Sequence, residues 1–200
     1  MKLRRINKKN LLIILISALI IIYIMFVVFV LKENYLDMLN FKQKKELTVF
    51  FKIITRFGDW YTILAITVAS FMLKNKNYFK YIFINVILLV ILNQGLKIIF
   101  QRPRPELNIL NASGYSFPSG HAMVNAGFYG FLIYIIFLSN FDKKIKIIIS
   151  ILLGILILLI GCSRVYLGAH YITDVIAGMC FSIIYLVIYI DLIKIGEKLL

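Results

Sequence analysis

Two histidines make up the whole complement of this chain, and both stand among cations: His121 closes the string Pro118-Ser119-Gly120-His121, while His170 follows Ser163-Arg164 and precedes Asp174 by four residues. A third cluster pairs Lys97 with Arg104-Pro105 across six intervening residues. A lone histidine is usually structural, but two in polar clusters with three cations point to catalysis. Lys97, Arg104 and Arg164 can neutralise an anion, and arginine grips phosphate oxygens bidentately in a way lysine cannot. The Ser119-Gly120 turn, placed before an apolar run, offers backbone N–H groups at a helix N-terminus, where donors and dipole together favour negative charge. Such a set suits phosphate.

His170 and Asp174 share a face if a helix begins near His170. The carboxylate then fixes the imidazole's tautomer and stabilises the imidazolium that forms in nucleophilic or base chemistry. A metal would need clustered carboxylates or several His, Cys and acidic ligands. Near these clusters the only acids are Glu106 and Asp174, and the cations already fill a metal's electrostatic role. The expectation is a site with no metal and no other cofactor. Lys97 also suits snorkelling to lipid headgroups, and Arg102 suits packing as well as function.

The elements that carry these residues are apolar. Of 200 residues, 62% are hydrophobic and the mean hydropathy is +0.91, more than one small core can bury. Runs near 20 residues match a hydrocarbon layer about 30 Å thick. The expected fold is all-α and integral to the membrane, with six transmembrane helices over 11–31, 60–73, 78–100, 122–138, 145–161 and 173–195. The run 60–73 is the weakest of these, about 21 Å long at 1.5 Å per residue. An interfacial amphipathic segment, 32–59, lies between the first and second spans and stops near Gly58. One membrane domain covers 1–200, its catalytic core being 60–195, because no Pro/Gly-rich linker or repeat divides it.

Connectivity alone makes the clusters neighbours. The first ends one span, the second begins the next, and the third joins the last two, so antiparallel helices bring all three to one end. The apolar run after the basic leader of Lys2, Arg4, Arg5, Lys8 and Lys9 is longer than the roughly 7–15 residues of a secretory signal's core and ends in Val30-Leu31-Lys32-Glu33 in place of a small-residue cleavage site, so it reads as an uncleaved anchor. Lysine clusters at 74–80, 143–146 and 194–198 fall on the leader's side. The positive-inside tendency therefore puts the N-terminus in the cytoplasm and the site on the outer face of the plasma membrane, although 32–59 carries six basic residues against that bias. The net charge of +14 forms no stripe with interleaved aromatics, which excludes nucleic acid as the natural partner and suits anionic lipid. Cys162 and Cys180, without metal or redox spacing, read as packed free thiols. The oligomeric state is not specified by any of these features.

Together the three clusters resemble the motifs of the type 2 phosphatidic acid phosphatase (PAP2) family: Lys97, Arg104, Pro105; Pro118, Ser119, Gly120, His121; Ser163, Arg164, His170, Asp174. The resemblance reaches from about Thr55 to Gly178. It implies that His170 attacks phosphorus to give a phosphohistidine and that His121 protonates the leaving oxygen. Lys97, Arg104, Arg164 and the Ser119-Gly120 turn would hold the equatorial oxygens. Opposite protonation states of the two histidines imply a bell-shaped pH–rate profile. The substrate implied is a phosphorylated membrane lipid, with undecaprenyl pyrophosphate or phosphatidylglycerophosphate favoured. A phosphotransferase acting on a lipid or sugar acceptor and a non-catalytic lipid-binding relative are the alternatives; the second usually lacks a catalytic residue, and here none is missing.

Overall fold

The computed structural model describes residues 8–26, 28, 44–73, 76–106 and 108–199. Seven α-helices are present among them: α1 (Lys8–Met25), α2 (Lys45–Arg56), α3 (Trp60–Ala69, extended by a 3-10 turn Ser70–Met72), α4 (Lys76–Phe100), α5 (Gly120–Leu138), α6 (Lys143–Tyr166) and α7 (Ile172–Leu199).

The expectation of six transmembrane helices is corrected to four. Among the described residues, only Asn77–Phe100, Gly120–Leu138, Lys143–Tyr166 and Ile172–Ile193 are long and apolar enough to cross a membrane. The apolar helices Lys9–Met25 and Trp60–Met72 fall short; at 1.5 Å per residue they reach about 26 and 20 Å against a layer of about 30 Å. Of the expected interfacial segment, α2 is described and stops at Phe57-Gly58, whereas 32–43 and the leader cations at 2–5 lie outside the described residues.

Helix α5 is the axis of the bundle. It packs against α4, α6 and α7, while α1 lies along α7 and α2 lies on α6. Its buried face supplies Phe128, Tyr129, Phe131 and Ile135, which meet Ile82 of α4, Ile160 of α6 and Tyr189 of α7. The outer face of α6 shows the opposite pattern: Ile148, Ile151, Leu152, Ile155 and Leu158 are exposed, as a helix surface in contact with lipid should be. Cys162 is also exposed there, so only Cys180 is the packed thiol expected from sequence.

Two tyrosine hydroxyls inside this bundle are paired with backbone carbonyls, which offsets their cost in an apolar medium. Tyr189 donates to the Tyr81 carbonyl at 2.6 Å, and Tyr185 to that of Asn85 at 3.3 Å. Helix α1 runs antiparallel to α7: Asn10 donates to Asp191 at 3.3 Å near one end, and Ile24 and Val28 cluster with Ala177 near the other. The antiparallel order of the four long helices leaves the end of α4, the start of α5, the end of α6 and the start of α7 at one end of the bundle, with the long α4–α5 connection, 101–119, lying there too.

Candidate active site

The end of α4 is shaped by its prolines. Gln101, in the left-handed region at φ 47°, ends the helix, and Pro103 and Pro105 keep the following segment from helical geometry. Residues two apart in an extended chain share a side, and both Arg102 and Arg104 reach the α6–α7 turn. Arg102 is buried and donates to Asp174 Oδ1 at 2.6 Å and to Thr173 Oγ1 at 2.8 Å, with its guanidinium 4.0 Å over the Tyr171 ring. Arg104 donates to the Ala169 carbonyl at 2.7 Å and to the Ser113 and Gly114 carbonyls, and its Nη1 lies 3.2 Å from His170 Nε2. Lys97 reaches the Tyr115 carbonyl at 2.5 Å from the last turn of α4.

His170 sits just before α7, which begins at Ile172. Gly168 takes φ 67° to close α6, a conformation glycine adopts without steric cost. That turn sends both the Ala169 and His170 amides back to the Arg164 carbonyl, at 3.0 and 3.1 Å. The expected His170–Asp174 pair is present as a 3.6 Å contact between Nδ1 and Oδ2, longer than a hydrogen bond. Ser116, which sequence reasoning passed over, occupies the space between them: its hydroxyl donates to Asp174 Oδ2 at 2.5 Å and its oxygen lies 3.3 Å from His170 Nδ1. We assign the proton of His170 to Nδ1 on this network, which leaves the Nε2 lone pair facing Arg104. Burial pushes the His170 imidazole down to about 3, with the Asp174 carboxylate opposing that effect only in part. His170 is therefore neutral, the state a nucleophile needs.

The head of α5 is built from Ser119, whose side chain accepts from the Ala122 amide as N-cap. The Ser119 amide itself donates to the Asp174 carbonyl at 3.0 Å, tying the second cluster to the third. A side chain at Gly120 would come within 3.1 Å of Asn93 Oδ1 and 4.0 Å of Lys97 Cε, so this turn lies directly beside Lys97. Arg164 is buried, with Nη1 donating to Thr55 Oγ1 of α2 at 2.8 Å and Nε without a hydrogen-bond partner among the described residues. An orphaned buried donor on a cation fits a site meant for an anion.

His121 Nε2 lies 3.0 Å from Asp59 Oδ1, a partner not considered from sequence. The available signal was position: Asp59 is an acid directly before an apolar run, at the end of that run shared by the three clusters. His121 and Asp59 open onto a cavity of about 460 Å³ between α3, α4 and α5, lined further in by Ile63, Leu64, Phe83 and Val90. Burial of Arg104 lowers its pKa against the opposing charge of Asp174, but a guanidinium remains cationic through such shifts. Among the described residues no group of three or more His, Cys, Asp or Glu is arranged to hold a metal ion.

Residues 77–194 match the family model of the PAP2 superfamily. Phosphatidylglycerophosphatase B of Bacillus subtilis is 38% identical over 100 residues, 47% of each chain. Sphingosine-1-phosphate phosphatase 1 of Rattus norvegicus is 34% identical over 119 residues, which are 56% of this chain and 27% of that protein. The match thus spans half or less of these curated relatives. The crystal structure of a transmembrane PAP2-type phosphatidylglycerolphosphate phosphatase from Bacillus subtilis superposes with a TM-score of 0.79 at 26% identity, covering 96% of this chain and 98% of that one. That of Aquifex aeolicus LpxE gives 0.62 at 27% identity, over 75% of this chain and 88% of the other.

Proposed function

Because this chain belongs to the PAP2 superfamily and is a multi-pass membrane protein, we propose that it is a metal-independent lipid phosphatase working through a phosphohistidine on His170. The observation that carries the reading is the orientation of that imidazole: Nδ1 faces Ser116, and Nε2 faces the Arg104 guanidinium at 3.2 Å. A phosphoryl group gripped by Arg104 would present its phosphorus to the unprotonated nitrogen. Nε2 forms the N–P bond as the P–O bond breaks, and the departing alkoxide or phosphate takes a proton from His121. His121 then accepts a proton from the water that attacks the phosphohistidine, and inorganic phosphate leaves. Lys97, Arg104, Arg164 and the Ser119-Gly120 turn offset the charge on the equatorial oxygens throughout, in the way positioning and electrostatics dominate phosphoryl transfer.

The apolar cavity beside His121 suits a substrate whose phosphate is attached to a hydrocarbon chain. Undecaprenyl pyrophosphate and phosphatidylglycerophosphate are the substrates we favour, the latter supported by the phosphatidylglycerophosphatase relatives. Phosphate release from purified protein, measured on both lipids, phosphatidate and a soluble phosphate ester in excess EDTA, should be fast on one of the long-chain lipids. Activity abolished by EDTA, or phosphate appearing only on an acceptor and never free, would overturn the hydrolytic metal-free reading.

The site belongs on the outer face, with the N-terminus in the cytoplasm. Support comes from the lysines at 143–146, which lie at the end of the bundle away from the site. A membrane-impermeant maleimide on intact cells should label Ser113→Cys beside the site and spare Asn140→Cys until the cells are broken; the reverse pattern refutes the orientation.

A further inference from the structure

Asp59 is the N-cap residue of α3, and aspartate is among the best side chains for that position. Yet its carboxylate makes no capping bond to α3. One oxygen instead takes His121 Nε2 at 3.0 Å and the other accepts from the Tyr61 hydroxyl at 2.5 Å. The carboxylate has thus been diverted from a stabilising local bond to a long-range one.

The corner that delivers Asp59 is held to α5 at several points. Tyr129 donates to the Phe57 carbonyl at 2.7 Å, and Asn125 donates to both the Gly58 carbonyl at 3.0 Å and the His121 carbonyl at 2.8 Å. The approach is so close that a side chain at Gly58 would lie 2.6 Å from Asn125 Nδ2 and 3.0 Å from His121 Cδ2. Asn125 thus locks the backbone carrying Asp59 and the backbone carrying His121 to each other.

From this geometry we infer that Asp59 is a positioning residue for His121, holding its Nε2 edge and leaving Nδ1 as the nitrogen that donates the proton to the leaving oxygen. The inference rests on the proposed phosphatase mechanism. In that step the P–O bond breaks, the leaving oxygen gains the Nδ1 proton, and the resulting neutral imidazole keeps its Nε2–H bonded to the carboxylate. Asp59 stays ionised for this purpose: burial raises its pKa, but the bonds from His121 and Tyr61, with the charges of His121 and Arg164, outweigh that and hold it below the usual carboxylate value. The other charged groups facing His121 are Arg164 from α6 and Arg104 from the α4–α5 loop, both cations. Asp59 is therefore the anion among them that favours a protonated His121.

The test uses the full chain in lipid nanodiscs, with Asp59→Asn, Asp59→Glu, His121→Ala and the Asp59→Asn/His121→Ala pair. General acid catalysis contributes about 10²–10⁴-fold, and its value falls as the leaving group needs a proton less. Asp59→Asn should lower kcat for an alkyl phosphate lipid by about 10–100-fold, lower it for p-nitrophenyl phosphate by less than about 3-fold, and leave KM nearly unchanged. The alkaline limb of the pH–rate profile should move to lower pH, Asp59→Glu should recover part of the rate, and Asp59→Asn should add nothing on the His121→Ala background. Equal losses on both leaving groups, the result of a merely misfolded variant, or additive losses in the double variant would overturn the assignment. Full activity of His121→Ala on the alkyl ester would instead remove the proposed acid, a separate failure of the mechanism.

Discussion

Replacing His170 with alanine should abolish lipid phosphate turnover, by at least about four orders of magnitude, and should eliminate the acid-labile, radiolabelled phosphoenzyme formed from labelled substrate. The loss is expected without collapse of the fold. The Ser116 hydroxyl still reaches Asp174 at 2.5 Å, Arg102 still pairs with that carboxylate, and Arg104 keeps the Ala169 carbonyl at 2.7 Å. The imidazole carries no charge whose removal would strand a partner, since burial keeps it neutral. A variant that unfolds at the wild-type temperature yet forms no phosphoenzyme is thus the expected result. Normal turnover in it would end the nucleophile assignment.

The second large effect is expected at Arg102. Its Nη1 serves both Asp174 and Thr173, and its guanidinium plane covers Tyr171 at 4.0 Å. Asp174 is completely buried, and stripping one partner from a buried ion pair typically costs about 3–5 kcal/mol because the remaining charge is stranded. For a chain of this size that corresponds to roughly 10 °C in Tm. Arg102→Ala should show such a fall in detergent, together with loss of activity as Asp174 shifts. Arg102→Lys should recover only part, since an ammonium can meet the carboxylate but cannot lie flat on the ring while bonding Thr173. An unchanged melting temperature in Arg102→Ala would show that the pair carries no stability.

How far the molecule could be read from its sequence depended on which forces left a local trace. The meeting of the three clusters follows from helix order, because consecutive antiparallel helices share the end at which they are joined. The role of Arg102 did not follow, since only the extended Pro103-Arg104-Pro105 segment puts residues 102 and 104 on one side. Ser116 lies two residues before Pro118 in a stretch without periodicity, and nothing local indicates that it will stand between His170 and Asp174. Asp59 was hidden by attribution: at the end of an amphipathic run it looks like one more solvated charge, and its partner lies 62 positions away. The number of spans was overestimated because an apolar run was counted as a span although its length, once helical, falls short of the hydrocarbon layer. Trp60–Met72 takes up almost the whole of the run 60–73 and is still too short.

Arg164 contributes to the site through two chemically separate parts. Its guanidinium bonds Thr55 and is proposed to meet the anion, while its carbonyl receives the amides of Ala169 and His170 at 3.0 and 3.1 Å. The address of the proposed nucleophile is thus written in main chain at a position whose side chain makes other contacts. Substitution at 164 can alter how phosphate is held, but every L-residue brings the same carbonyl, so the placement of His170 is shielded from side-chain replacement there. The two functions can drift independently: selectivity for the anion is open to variation at 164, whereas the coordinates of the attacking nitrogen answer to the glycine that turns the chain four residues later.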